Sequence, residues 1–256
     1  MEIRGISTVL RATAVLICGA AGSAAAAAAD WQGVYAGLAV GGAYSAAGPN
    51  TSLNTQTGYF DAVDAAQIDP ILQRNVGGWD LTGAALLGYD HRVGNLVVGI
   101  EADLTGMGFS EKRRRGSTAY VSQPSGSFET ETSVSTDFIV SLRPKLGYAT
   151  GNYLFYASAG PSLARIKTTL RYADNFSGGH TLDDTRTKTA LGVSTGVGVG
   201  YSFGDGWVAR GDYVLTYFPD AADGSAALSG SGAGDDFKRD GDFQSHNLRF
   251  ALIKYF

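Results

Sequence analysis

Seven charged residues are spaced so that opposite charges could meet: Glu101, Asp103, Arg143, Lys145, Arg210, Asp212 and Arg249. Glu101 and Asp103, two positions apart, could form a carboxylate pair for general acid–base work. Three carboxylates against four cations nearly balance, however, which favours a charge network over catalysis. The histidines His91, His180 and His246 offer little to a nucleophile. A serine hydrolase needs its base within hydrogen-bond reach. Ser245 directly precedes His246, and neighbours on a strand point to opposite faces. Gly196-x-Gly198-x-Gly200 has the spacing of a phosphate loop but no helix after it, so strand packing is the better account. Lys112-Arg113-Arg114-Arg115 is the densest basic run and could hold phosphate oxygens. Asp220, Asp223, Asp235, Asp236, Asp240 and Asp242 supply oxygens of the kind calcium takes, but an acidic, Gly-rich loop is the commoner arrangement. The expectation is of no catalytic residue, no metal site and no cofactor.

The elements that carry these residues follow from composition and patterning. The chain has 256 residues, 36 of them Gly, with 44% hydrophobic and only 17% charged content. A net charge of −4 and a pI near 5.3 exclude a broadly basic nucleic-acid footprint. One Cys excludes a disulfide scaffold and a Cys-based zinc site. Arg4 and Arg11, the apolar residues 12–19 and an Ala run ending at Ala29 have the order of a secretory signal. Cleavage is expected after Ala27-x-Ala29, which divides the chain into a signal peptide, 1–29, and a mature domain, 30–256. The apolar stretch is too short for a spanning helix.

Beyond the signal, apolar residues alternate with polar or small ones. Leu96, Val98, Ile100, Ala102 and Leu104 share one face, while Glu101 and Asp103 share the other. The same period of two runs through 138–148 and 207–217, as in strands. Tight-turn signals fall at 92–94, 150–152 and 204–206, and longer polar segments at 46–79, 107–134, 168–186 and 219–243. Eight strands are expected: 33–45, 80–91, 95–106, 135–149, 153–167, 187–203, 207–218 and 244–256. Ten remain open if part of 50–80 pairs. Short turns on one side and long loops on the other describe a membrane barrel. A soluble lipocalin-like barrel would be polar outside and apolar within. Here Tyr89, Tyr148, Tyr153, Tyr201, Trp207 and Phe256 fall near the short-turn ends, as an interfacial girdle requires. The charged face then lines a narrow lumen, where Gly192, Gly196, Gly198 and Gly200 leave room for long side chains. The fold class is all-β, an eight-stranded antiparallel up-and-down transmembrane β-barrel.

Several residues in order carry a resemblance: Trp31-x-Gly33-x-Tyr35-x-Gly37, Gly88-Tyr89, Gly99-x-Glu101-x-Asp103, Arg143-x-Lys145-Leu146-Gly147-Tyr148, Asp212-Tyr213 and His246-x-x-Arg249 with Phe256. Together they resemble the small outer-membrane β-barrel surface-antigen family, OmpA-like in its transmembrane part and porin-like. Lys145 and Asp212 stand where that family usually has Arg and Glu, and Lys254 where an apolar residue is usual. Pro144 and Pro161 inside strands lead us to expect bulges there. The resemblance implies a monomeric, surface-exposed structural protein of the cell outer membrane, contributing to envelope integrity. Its expected partners are outer-membrane lipids and lipopolysaccharide, with Lys112, Arg113, Arg114 and Arg115 in a loop at the headgroups. The barrel-assembly machinery is expected to read Leu248, Phe250, Leu252 and Phe256 during insertion. A small pore and a lipid A-modifying enzyme are the alternatives.

Overall fold

A computed structural model describes residues 30–221, 223–229 and 236–256. The expected signal peptide, 1–29, and Asp235 lie outside them. Eight long strands form the wall: β1 (Gly33–Leu53), β2 (Val76–Val93), β3 (Leu96–Ala119), β4 (Ser127–Thr150), β5 (Tyr153–Asp174), β6 (Thr181–Gly204), β7 (Trp207–Phe218) and β9 (Phe237–Tyr255). Each pairs antiparallel with its neighbour, and β1 pairs with β9 from Tyr35↔Tyr255 to Leu53↔Phe237, which closes the ring. A three-residue β8 (Gly224–Ala226) adds to the end of β9. The segment at 50–80 adds no ninth or tenth wall strand: its ends lengthen β1 and β2, and its middle folds as helix α1 (Ala62–Leu72). Asp61 caps that helix, accepting from the backbone N–H groups of Val63 and Asp64, while the Asp64 side chain accepts from the Asp61 N–H.

The three short turns fall where the sequence places them. Gly94 at φ +63 and Gly151 at φ +54 take the left-handed conformation that a two-residue hairpin turn demands. The long segments differ from expectation. Residues 107–119, 127–134, 168–174, 181–186 and 237–243 are not loops but continuations of the strands, so β3, β4 and β6 each reach 24 residues. Beyond the membrane the outer face of these strands meets water instead of hydrocarbon, so the outward apolar row stops while backbone pairing continues.

The proline expectation needs correction as well. The β4–β5 ladder opens between Ser141↔Ser162 and Lys145↔Ser158, around Pro144 and Pro161, but register is kept across the gap. Register shifts occur instead at 106–109 and 115–118 of β3, 136–139 of β4 and 202–204 of β6.

Outward residues are apolar through the middle of the wall, with Tyr89, Tyr148, Tyr153, Tyr201 and Trp207 exposed at the short-turn end. Near the other end of the belt Tyr44 and Trp79 pack ring to ring at 5.4 Å. Inside, the barrel is filled in layers. At the short-turn end Trp31, Tyr35, Leu154 and Ile253 form an apolar plug. Tyr156 lies against Gly198, where any larger residue would collide, and Trp31 packs against Gly200, where a Cβ would stand 3.2 Å from its ring. A charged layer follows, then hydroxyls, then Phe109, Ile166, Phe218 and Phe243. At the long-loop mouth α1 lays Ile68 and Leu72 against Phe128, Tyr172 and Phe237.

Candidate functional site

The strand period turns Glu101 and Asp103 of β3, Arg143 and Lys145 of β4, Arg210 and Asp212 of β7 and Arg249 of β9 into the lumen, all buried. Six of them close a ring of alternating charge. Arg143 Nη2 lies 3.0 Å from Glu101 Oε1 and 3.0 Å from Asp103 Oδ2. Arg249 links Asp103 at 2.5 Å to Asp212 at 3.4 Å, and Arg210 links Asp212 at 2.9 Å back to Glu101 at 2.5 Å. The ring therefore ties β3 and β4 to β7 and β9 across the lumen. Lys145 stands beside it, 2.7 Å from Asp90 of β2 and donating to the Tyr35 hydroxyl, which in turn donates to Glu101. Asp90 brings the layer to four anions and four cations, yet sequence reasoning missed it. Its partner lies two strands away in the row Asp90↔Gly99↔Lys145, and Gly99 leaves the space across which the two side chains meet. Tyr156 and Tyr255 complete the layer, donating to Asp212 and Asp90.

Above the ring Ser141, Ser162, Ser194 and Thr216 bond hydroxyl to hydroxyl, as do Ser45 and Ser245. The cavity at this level measures about 10 Å³, the size of a single water. Ser245 and His246 do face opposite ways: Ser245 is bonded inside the lumen, while His246 bonds Tyr213 at 2.6 Å on the outer face.

Residues 112–115 are not in a loop. They lie in β3, paired with 130–133 of β4. Strand rise and a tilt of ~40° give roughly 2.5 Å of height per residue. The apolar belt ends near Gly106↔Phe138, so Arg113 stands about 15 Å above it by the same rise. The outward cations nearest the belt are instead Arg165 and Lys167, two and four residues beyond exposed Leu163 on β5. The outer faces of Lys112 and Arg114 meet Glu131 and Glu129, both at 3.2 Å.

In the last acidic segment, Lys188 holds Asp223 at 2.6 Å, buried Asp236 accepts the Leu228 N–H, and Asp240 and Asp242 belong to β9. Leu248, Phe250, Leu252 and Phe256 all face outward and are exposed.

A surface cleft of about 760 Å³ lies where the loops meet α1 and is lined by Tyr59, Phe60, Tyr120 and Phe176 with Asp61 and Asp64. Tyr59 donates to Asp174 at 2.9 Å and sits 2.7 Å from His180 Nδ1. Burial, then the bond and charge of Asp174, push its hydroxyl well above the ordinary tyrosine range. No signal in the sequence marked this cluster, because its members come from three separate loops.

No curated protein matches the chain. Among solved structures it is similar to the outer membrane protease OmpT of Escherichia coli (8% identity, 89% of this chain and 98% of that one, TM-score 0.49). It is also similar to OprG of Pseudomonas aeruginosa (11%, 89% and 99%, 0.42) and to Neisserial surface protein A (13%, 87% and 97%, 0.38). At these values none of them bears on what this chain does. The profile of the outer membrane protein beta-barrel domain matches residues 13–251. With its ring of eight long strands, apolar outside and charged within, the chain belongs to that family and is an outer-membrane β-barrel protein.

Proposed function

We propose that this chain is a closed, monomeric, non-enzymatic structural protein of the outer membrane that displays its loops at the cell surface and contributes to envelope integrity. Export by a signal peptide cleaved after Ala29, and insertion by the barrel-assembly machinery through the outward row Leu248, Phe250, Leu252 and Phe256, belong to the same proposal. The observation that carries it is the filled lumen, from Trp31 at one end to α1 at the other, with a void of about 10 Å³ at the charged ring. Eight-stranded barrels are narrow enough for side chains to fill. Purified protein in planar bilayers should show no stable conductance steps. Reproducible unitary steps would instead make it a small pore. Unchanged lipid A mass profiles with and without the gene are expected, and a gene-dependent change would establish a lipid-modifying activity.

Lipopolysaccharide contact is proposed in two tiers: Arg165 and Lys167 at the headgroups, and Lys112, Arg113, Arg114 and Arg115 higher on the wall. Charge attraction to an anionic surface is worth about 1 kcal/mol per cation at low salt. Arg165→Gln with Lys167→Gln should lower lipopolysaccharide co-purification several-fold at low salt and little at high salt. Equal retention at both salts would leave these cations as solvated surface groups.

A further inference from the structure

The basic run of β3 does not act alone. β2 and β3 pair only from Val93↔Leu96 to Thr82↔Met107. Above that level β3 continues to Ala119 beside β4, while β2 continues to Val76 beside β1, leaving a seam between them. Into this seam comes Arg74, just past the end of α1. With Arg113, Arg114, Arg115 and the hydroxyls of Thr130 and Thr132 it lines a cleft of about 120 Å³. Arg74, Arg113 and Arg115 therefore line one cleft where the sequence shows only a run of three arginines and, 39 residues before its first member, an isolated one; the Arg114 guanidinium is turned to Glu129 on the outer face.

Two further observations set this cleft apart from an ordinary charged wall. First, the neighbouring cations are neutralised. Lys112 meets Glu131, Arg114 meets Glu129, and Arg171 meets both Glu131 and Asp183. The cleft itself is lined by no carboxylate, and Glu111, the nearest one on β3, is turned against Gly78. Second, two of its arginines are held in place. Arg113 Nη2 donates to the Asn75 carbonyl at 3.0 Å across the seam, and Arg115 Nε donates to Thr118 Oγ1 at 3.3 Å. Guanidinium is the group suited to planar, two-point recognition of tetrahedral oxyanions, and fixing it beforehand lowers the ordering cost of binding.

We propose that Arg74, Arg113 and Arg115 form a binding cleft for a phosphate or sulfate group carried on a saccharide. The proposal rests on the reading that residues 112–115 contact anionic glycolipid, and it gives that contact a defined pocket. Height selects the ligand. The cleft stands about 15 Å above the apolar belt by strand rise and tilt, out of reach of phosphates at the membrane surface. The oxyanion must belong to the outer sugars of lipopolysaccharide or to a soluble sulfated polysaccharide.

The test uses the full barrel in detergent micelles, titrated with a fluorescent sulfated dextran oligosaccharide. Arg74→Gln should weaken binding about tenfold, the scale of one charge-assisted contact, and Arg113→Gln with Arg115→Gln should weaken it at least as much. Lys112→Gln, on the outer face, should change it less than twofold. Because Arg74 is exposed, a heat-shifted gel band identical to the parent's should confirm folding. Competition by lipopolysaccharide with a phosphorylated core, lost on dephosphorylation and absent with lipid A alone, assigns the ligand to the core. Competition by none of these assigns it to sulfated polysaccharide. Parental affinity in Arg74→Gln overturns the cleft. If Arg113→Gln with Arg114→Gln and Arg115→Gln then still weakens binding, the broader contact of the run stands. If that variant also binds like the parent, both readings fall.

Discussion

Glu101→Gln should destabilise the barrel by about 3–5 kcal/mol, the cost of breaking a buried ion pair by removing one partner. Glu101 is joined to Arg143, Arg210 and the Tyr35 hydroxyl. Its neutralisation opens the ring at two links and leaves four formal cations against three anions in a layer with space for one water. Neighbouring groups have little means of compensating, since the hydroxyl layer above is already bonded to itself. Urea titration of the parent and the variant in the same lipid or detergent measures the difference. Glu131→Gln is the control, for it removes the partner of Lys112 and Arg171 on the exposed wall, where ion pairs are worth roughly 0–1 kcal/mol. If the two variants lose equal stability, the lumen ring does not hold the barrel together.

Gly160→Ala should be the most damaging small substitution in the wall. A Cβ at Gly160 would run into the Leu142 carbonyl and lie 3.0 Å from the Arg143 Cα. Those are backbone atoms, so β4 and β5 must move apart instead of a side chain rotating away. The site is also where the β4–β5 ladder already lacks pairs, between Ser141↔Ser162 and Lys145↔Ser158. Overpacking of this kind costs about 1–3 kcal/mol, and displacement of Arg143 adds the loss of its two ring contacts. Folded yield and urea midpoint should both fall. Gly108→Ala, with open space around its Cβ, should leave both unchanged. A silent Gly160→Ala would mean that the wall yields there.

The residues that cross the membrane were legible because two solvents meet across one strand. Leu96, Val98 and Ile100 must face hydrocarbon, so Glu101 and Asp103 must face inward, and a period of two records the choice. The same logic brought six of the seven candidate charges into one ring and Lys145 beside it. Legibility ended where the solvent contrast ended. Residues 107–119 go on pairing with β4 through two register shifts, but from Ser110 onward both faces of β3 are largely open to water and alternation carries no signal. That is why Lys112 to Arg115 read as a loop and α1 was not seen within 46–79. Asp90 was hidden for a different reason: it is an unremarkable strand residue until the registers of β2 on β3 and of β3 on β4 set it in one row with Lys145, across Gly99.

The charged ring also constrains the order in which the barrel can assemble. Its links join β3 and β4 to β7 and β9, and Arg249 arrives only on the last strand. Until β9 docks on β1, Asp103 and Asp212 each lack a partner, and a chain short of that strand cannot dry its interior without stranding charge in it. Contacts such as Ser45 with Ser245, 200 residues apart, and Asp90 with Tyr255, 165 apart, mature at the same moment. Such long-range closure brings its loop entropy due before any reward. Expulsion of lumen water and sealing of the β1–β9 seam are therefore one event, and an unfinished sheet stays open and wet until its final strand arrives.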